Sequence, residues 1–386
     1  MNRAGKQKIV IYGGTFDPPH RGHFALISAA LKALDPAVLY VVPGLRSPFK
    51  DQPCAPFRER AAMLSAGLKS AGLGGDERVR IHPFERDRGR LTYTWQTVSF
   101  FRRKHPDAEL YFLMGSDCLE TFHRWKHYRR ILAAAGLLVG AREGFPLKNP
   151  RGLPYRRLKG RFPLVASTSL KTELFAGFEH PGLFKSAGNH ISARGLYFAG
   201  LRRRAAALMS PARFAHTRAA ARLALELAVK YGADLQKTAL AALLHDVARD
   251  LGPRALAAYV RKAGLRVPAL KETLKKAPIL LHSYVGADLA RKKFGVKDRA
   301  ILKAIRSHTL GSVSPGLLEK ILYVADLAAA DRDFPEARAV RKLAFTGLDA
   351  AYAAANYVKL VYAFRAGVWT HPESVKVWNS LLKETR

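Results

Sequence analysis

Lys8-Ile9-Val10-Ile11-Tyr12 runs directly into Gly13-Gly14-Thr15-Phe16-Asp17-Pro18-Pro19-His20-Arg21-Gly22-His23. The first five residues read as a short buried strand, since four of them are apolar and β-branched or aromatic. Two glycines and two prolines then mark a turn. A helix follows from Arg21 to Leu34. A strand handed to a helix through a glycine-rich turn is the opening unit of a parallel, doubly wound sheet. The chemistry of the turn suits a phosphate. Glycines let the backbone approach phosphate oxygens, and the helix N-terminus presents the positive end of its dipole. His20 and His23 sit three apart on the first turn and can face one anion. Phosphoryl chemistry depends mostly on stabilising charge on the oxygens around phosphorus, which is what such groups do.

The same rhythm continues outward. Residues 38–42 read as a strand, Phe57–Ser70 as a helix, and 109–114 and 136–140 as further buried strands. The fold class of this half is therefore an α/β doubly wound parallel sheet, Rossmann-like. From Leu201 onward the alternation stops. The chain becomes Ala/Leu-rich with helical periodicity, broken at Gly232, Gly252-Pro253, Pro278, Gly295 and Pro315, and reads as all-α. With 386 residues, two cores are expected. We divide the chain into 1–198 and 199–386. Beyond Phe345 the clearest helix covers 358–368, and we assign no chemistry there.

Apolar residues make up 48% of the chain, which excludes a disordered class. The apolar run at Ile9–Tyr12 is too short for a signal-peptide core or a membrane span. Cys54 and Cys118 are the only cysteines, so no disulfide framework is expected and a reducing cytoplasm fits. The net charge is +35, spread over both halves rather than gathered in one stripe or tail. That distribution argues against a nucleic-acid binder. Arg102-Arg103-Lys104, Arg202-Arg203-Arg204 and Arg291-Lys292-Lys293 read as solvated helix surface. The diffuse field would attract polyanionic nucleotides.

In the second half, Leu243-Leu244-His245-Asp246-Val247-Ala248 sets a His-Asp pair inside an apolar helical run. A buried carboxylate needs a partner, and a metal ion would supply one. His216, His282, His308 and Asp326 lie at the edges of other expected helices and are candidate co-ligands. Six nitrogen and oxygen ligands shared by two ions, with Asp246 bridging, would leave positions open for water and substrate, the arrangement of two-metal phosphoester hydrolysis.

Residues 13–23 resemble the signature of the HIGH-type nucleotidyltransferase superfamily. Further segments resemble nicotinate mononucleotide adenylyltransferases in particular: Pro43 with Ser47-Pro48-Phe49-Lys50, then Thr92-Tyr93-Thr94-Trp95-Gln96-Thr97, then Met114-Gly115-Ser116-Asp117 with Trp125. Val165-Ala166-Ser167-Thr168-Ser169-Leu170-Lys171 and residues 191–197 complete the series, which covers about residues 8–198 in order. The resemblance implies that Gly13, Gly14, Thr15, Phe16, His20, His23, Ser167, Thr168 and Lys171 bind ATP, with His20 and His23 catalytic and Mg²⁺ accompanying the nucleotide. It implies a mononucleotide pocket at Lys50, Thr94, Gly115, Asp117 and Trp125, with the indole over the pyridine ring. Lys171 stands where the family usually has arginine, which keeps the charge and loses the bidentate fork. Ala166 replaces a common serine.

Arg213-Phe214-Ala215-His216, His245-Asp246, His282-Ser283 with Gly286-Ala287, His308-Thr309, and Tyr323-Val324-Ala325-Asp326 with Arg332 resemble the HD-domain symmetrical dinucleoside tetraphosphatases, over about residues 205–340. That resemblance implies a di-iron centre at His216, His245, Asp246, His282, His308 and Asp326, catalytic roles for Asp246 and for Arg249, the latter in contact with phosphate, and cleavage of diadenosine tetraphosphate to two ADP. HD ligands specify metal rather than base or phosphate number. Another nucleotide substrate, or a non-catalytic regulatory or nucleic-acid-binding role, is the alternative for this half.

Overall fold

The structure is a computed structural model that describes residues 6–45, 54–142, 147–163 and 165–384. The chain divides into two compact units. One comprises Met1–Lys171 with Glu179–Tyr197, the other Thr172–Phe178 with Phe198–Arg386. The short segment Thr172–Phe178 thus groups with the helical unit, whereas the sequence reading places it in the first half.

The first unit is built on six parallel strands: β1 (Lys8–Gly14), β2 (Val38–Pro43), β3 (Val79–Ile81), β4 (Glu109–Gly115), β5 (Gly136–Arg142) and β6 (Tyr155–Phe162). Their order is β3-β2-β1-β4-β5-β6. Strand side chains alternate between faces, so Val10 and Tyr12 of β1 join one core while Ile9 and Ile11 join the other. Both faces are covered, which is why β1, β2 and β4 read as nearly continuous apolar runs. The strands, all parallel, build outward in opposite directions from β1 and β4. The carboxyl ends of those two strands are Gly13-Gly14 and Met114-Gly115, so two separate sequence motifs flank the switch point where such sheets bind ligands.

The helix Arg21–Leu34 lays Phe24, Leu26, Ile27 and Leu31 on the first core. Its approach to the sheet requires Gly140 on β5. A Cβ there would stand 2.1 Å from a methyl of Leu26, which is fully buried. Strands β3 and β6 lie outside the expected set, and both are edges. The last carries Arg156, Arg157, Lys159 and Arg161, all exposed.

The second unit is entirely helical among the described residues. The helices that matter for the site are Pro211–Tyr231, Leu235–Leu244, His282–Phe294, Arg299–Ser307, Leu317–Ala328 and Leu348–Arg365. Several begin with a side-chain cap. Ser210 accepts the Arg213 amide, Asp234 those of Gln236 and Lys237, and Asp298 those of Ala300 and Ile301. The last of these helices starts ten residues before the expected 358 and ends at Arg365; Gly367 follows at φ 62°. No helix of the described residues is long and apolar enough to cross a membrane.

Gly140→Ala should destabilise the first unit by about 1–3 kcal/mol through overpacking against Leu26. Leu26→Val in the same chain should recover part of that loss in a double-mutant cycle read by urea unfolding. Strict additivity of the two changes would show that the helix is not seated by this contact.

Candidate functional sites

In the first unit the signature turn leaves β1 with Phe16 in the left-handed region, at φ 49°. Asp17 is the anchor of this turn. One carboxylate oxygen accepts the Cys54 amide at 2.9 Å, and the other accepts the Ala55 amide at 3.1 Å and the Tyr197 hydroxyl at 2.6 Å. Lys171 Nζ lies 3.5 Å from the same carboxylate. Arg60, only 1% exposed, donates to the Thr15, Leu45 and Ala55 carbonyls and so ties the turn to its flanking loops. Burial lowers the Arg60 guanidinium below its usual value, and the Asp17 charge opposes that.

His20 is the N-cap of the helix Arg21–Leu34, and its ring lies 3.6 Å from that of His23. The His20 amide donates to His23 Nδ1 at 3.1 Å. A ring nitrogen that accepts carries no hydrogen, so the proton of the neutral His23 ring sits on Nε2. Thr94 opens the helix Thr94–Lys104, and Asp117 lies in the short helix Ser116–Leu119 that follows β4. Trp125 is half-buried and packs edge-on against Phe112 and at a tilt against Phe122. Ser167 and Thr168 form the first turn of the helix Ser167–Ala176. Lys50, with its neighbours 47–49, lies outside the described residues.

In the second unit, His216, His245, Asp246, His282, His308 and Asp326 converge. His245 and Asp246 follow the end of the helix Leu235–Leu244, and Gly286 lets the helix His282–Phe294 pass close by. A Cβ at Gly286 would come 3.2 Å from the His245 carbonyl oxygen. Two groups have metal-ligand spacing: His216, His245 and Asp246, and Asp246, His282 and His308. The two oxygens of Asp246 divide between them. Oδ2 lies 3.7 Å from His245 Nε2, while Oδ1 lies 3.4 Å from His282 Nε2 and 3.5 Å from His308 Nε2. Asp326 Oδ1 completes the first group, 3.2 Å from His216 Nε2 and 3.6 Å from His245 Nε2.

The imidazoles are oriented for cations. Nδ1 of His245, His282 and His308 each lies 2.7 Å from a backbone carbonyl three residues earlier, at Ala242, Ile279 and Ile305. A carbonyl can only accept, so each Nδ1 carries the hydrogen and each Nε2 of the neutral ring presents a lone pair. The Nε2 atoms of His282 and His308 are 3.1 Å apart, and His245 Nε2 is buried with no hydrogen bond among the described residues. Lone pairs crowded in this way, beside two carboxylates, fit divalent ions. Burial raises the Asp246 carboxyl, but His245, His282 and His308 overcome that and hold it well below the ordinary value. Burial also lowers His308 to about 4, which keeps that ring neutral.

Residues 11–173 match the cytidylyltransferase-like family and residues 213–332 the HD domain family. A Nitratiruptor sp. protein named "Probable nicotinate-nucleotide adenylyltransferase" is 38% identical over 138 residues, 36% of this chain and 75% of that protein. The chain belongs to the nicotinate-nucleotide adenylyltransferase family. Its HD half is 32% identical over 174 residues to a Halalkalibacterium halodurans protein named "Bis(5'-nucleosyl)-tetraphosphatase, symmetrical", 45% of this chain and 91% of that protein. Both halves align at once with a Mycoplasma genitalium protein named "Probable nicotinate-nucleotide adenylyltransferase/Ap4A hydrolase", 29% identical over 330 residues, 85% of this chain and 89% of that protein.

Further residues of this adenylyltransferase–HD chain lie at the sites, some of them within the quoted motifs and others, such as Asp331, Lys359 and Glu85, without a sequence signal. Asp331 Oδ2 accepts from His216 Nδ1 at 2.8 Å, and with Asp326 it raises that ring to about 9 against the effect of burial. Arg213 donates to Asp246 Oδ2 at 2.8 Å. Thr309 Oγ1 lies 3.2 Å from the Nε2 atoms of both His282 and His308. Lys359 reaches Asp326 from the segment to which the sequence reading gave no chemistry. Arg249 is half-buried, and burial lowers its guanidinium while Asp246 opposes the shift. In the adenylyltransferase half, buried Glu85 accepts the Leu45 amide at 3.2 Å and the Thr97 hydroxyl at 3.4 Å. It thereby joins the loop after β2 to the helix that Thr94 opens.

Burial pushes Glu85 up to about 7, with the two hydrogen bonds and Arg60 pulling the other way. The folded chain therefore holds this proton more tightly than the unfolded one. The stability it contributes is complete below the ordinary carboxyl value of 4.5 and is lost as pH rises through about 7. The stability of the wild type relative to Glu85→Gln should fall over that window by at most on the order of 3 kcal/mol. A difference that stays flat from pH 4.5 to pH 7 in urea unfolding would contradict this environment for Glu85.

Proposed function

We propose that the first half transfers the adenylyl group of ATP to nicotinate mononucleotide, giving deamido-NAD and pyrophosphate. The second half hydrolyses diadenosine tetraphosphate symmetrically to two ADP. The observation that carries the first activity is the meeting of the Gly13–His23 turn and the Gly115–Asp117 segment at the β1/β4 switch point. The second is carried by Asp246, whose two oxygens serve two histidine groups.

In the transfer, an oxygen of the mononucleotide phosphate attacks the α-phosphorus of ATP, and the bond to the departing pyrophosphate breaks. The attacking group is already an anion, so no covalent enzyme intermediate and no general base are required. The work of the chain is to neutralise and align. Gly13, Gly14, Thr15 and Phe16 offer backbone to the phosphates. His20 and His23 meet the charge that develops on the leaving oxygens, His23 through Nε2–H. Ser167 and Thr168 add the N-terminus of a second helix, and Lys171 adds a charge that also faces Asp17. Mg²⁺ accompanies ATP. Trp125 covers the pyridine ring, with Lys50, Thr94, Gly115 and Asp117 around the rest of the mononucleotide.

In the hydrolysis, His216, His245 and Asp326 would hold one divalent ion and His282 and His308 another, with Asp246 shared; we assign iron. Bound there, the pair supplies Lewis acidity and a water acidic enough to attack phosphorus near neutral pH. The chain fixes the ligands through its carbonyl-bound Nδ1–H groups, and Arg249 and Arg213 bring positive charge to the substrate phosphates.

The two activities should separate. His23→Ala should cut pyrophosphate release about 100-fold or more, by loss of a donor to the developing charge, and leave tetraphosphate hydrolysis unchanged. Loss of both in a folded variant would contradict two independent sites. Nicotinate mononucleotide should be preferred to nicotinamide mononucleotide; an equal or higher kcat/KM for the amide would overturn that choice of substrate. Diadenosine tetraphosphate should give ADP alone by chromatography. A mixture of ATP and AMP would overturn the symmetrical cut while leaving the metal site in place.

A further inference from the structure

Lys359 lies in the helix Leu348–Arg365, more than thirty positions beyond the last expected ligand, yet its ammonium meets both ligand groups. Nζ donates to Asp326 Oδ2 at 3.2 Å and to the His308 carbonyl oxygen at 2.8 Å, and it sits 3.8 Å from the centroid of the Tyr323 ring. These contacts are organised by helical spacing. Tyr323 and Asp326 are three apart on one helix, and Asn356 and Lys359 are three apart on the other, so each pair shares a face. Buried Asn356 donates to the Tyr323 hydroxyl at 3.3 Å, which locks the ring on which the ammonium rests. A lysine held by a carboxylate, a carbonyl and an aromatic face is fixed in position.

The consequence falls on Asp326. Its Oδ1 faces His216 and His245, while its Oδ2 faces away, into Lys359. A carboxylate beside a divalent ion can ligate through one oxygen or through both, and ligating through both consumes a further coordination position. We propose that Lys359 is a positioning residue that holds Asp326 to one ligating oxygen, and so keeps a position open for water or substrate at the ion bound by His216 and His245. The inference rests on the metal-dependent hydrolysis proposed above. It adds a determinant of coordination number that neither the His-Asp pair nor the outer histidines carry. The ammonium also opposes charge donation from Asp326, which favours an acidic bound water.

The test uses the full-length protein loaded with cobalt(II), whose visible absorption weakens as coordination number rises. Lys359→Met should keep about two ions per chain and lower that absorption by about twofold. It should reduce kcat for diadenosine tetraphosphate about tenfold with KM little changed, because an open position has closed. Asp326→Asn provides a background in which ligation through both oxygens is no longer available. There, adding Lys359→Met should alter neither the spectrum nor kcat by more than about twofold, since removing both partners of a buried pair is far milder than removing one. This double variant keeps the test alive if the single lysine variant does not fold. An unchanged spectrum in Lys359→Met would overturn the proposal, as would a rise in KM alone, which would mark Lys359 as a phosphate contact. An equal effect of Lys359→Met with and without Asp326→Asn would also overturn it. Failure of the wild-type chain to bind about two ions would instead overturn the reading on which the proposal rests.

Discussion

One buried carboxylate organises the helical half of this protein. Asp246 is 3% exposed and is faced by His245, His282, His308 and Arg213. A charge in that position is very costly without partners. The surrounding elements meet that demand. His245 is its neighbour in the chain. His282 begins a helix that must pass close to the His245–Asp246 turn, which Gly286 permits. His308 ends another helix. Each of those three histidines is aimed by a backbone carbonyl one turn earlier, so the ligand directions are set by helix geometry rather than by long flexible side chains.

The sheet half solves a comparable problem with Asp17. That carboxylate is buried and turned into the protein. It collects the amides of Cys54 and Ala55, the Tyr197 hydroxyl and the Lys171 charge, and so fixes the turn whose other residues can then face phosphate. Arg60 acts from beneath by binding three loop carbonyls. In both halves, buried charges satisfied inside the protein hold the candidate site groups in place. This is the condition under which donors stabilise a transition state without first reorganising.

The sequence made some of this legible and hid the rest, for identifiable reasons. The helices Arg21–Leu34 and Phe57–Ser70 have the expected bounds because clear turn signals stand before them. Strands β1, β2, β4 and β5 could be read because both faces of a parallel strand are buried. Strand β6 could not: an edge lets Arg156, Arg157, Lys159 and Arg161 face water, and the apolar signal is lost. Strand β3 has only three residues. The converging His/Asp cluster was legible because His-Asp in an apolar run is chemically conspicuous. Asp331 and Lys359 were not, because each becomes part of the site only through tertiary approach. Lys359 is the clearest case. In one dimension it is one basic residue among 65, and only the facing pairs Tyr323/Asp326 and Asn356/Lys359 give it a role.

The central claim is that Asp246 is shared by two divalent ions, and metal analysis of the purified chain beside Asp246→Asn tests it most directly. After both proteins are loaded with the same metal and excess ions are removed, the wild type should retain about two ions per chain and the variant close to none, because an uncharged amide cannot balance two dications. Retention of about two ions by the folded variant, or of none by the wild type, would contradict the account.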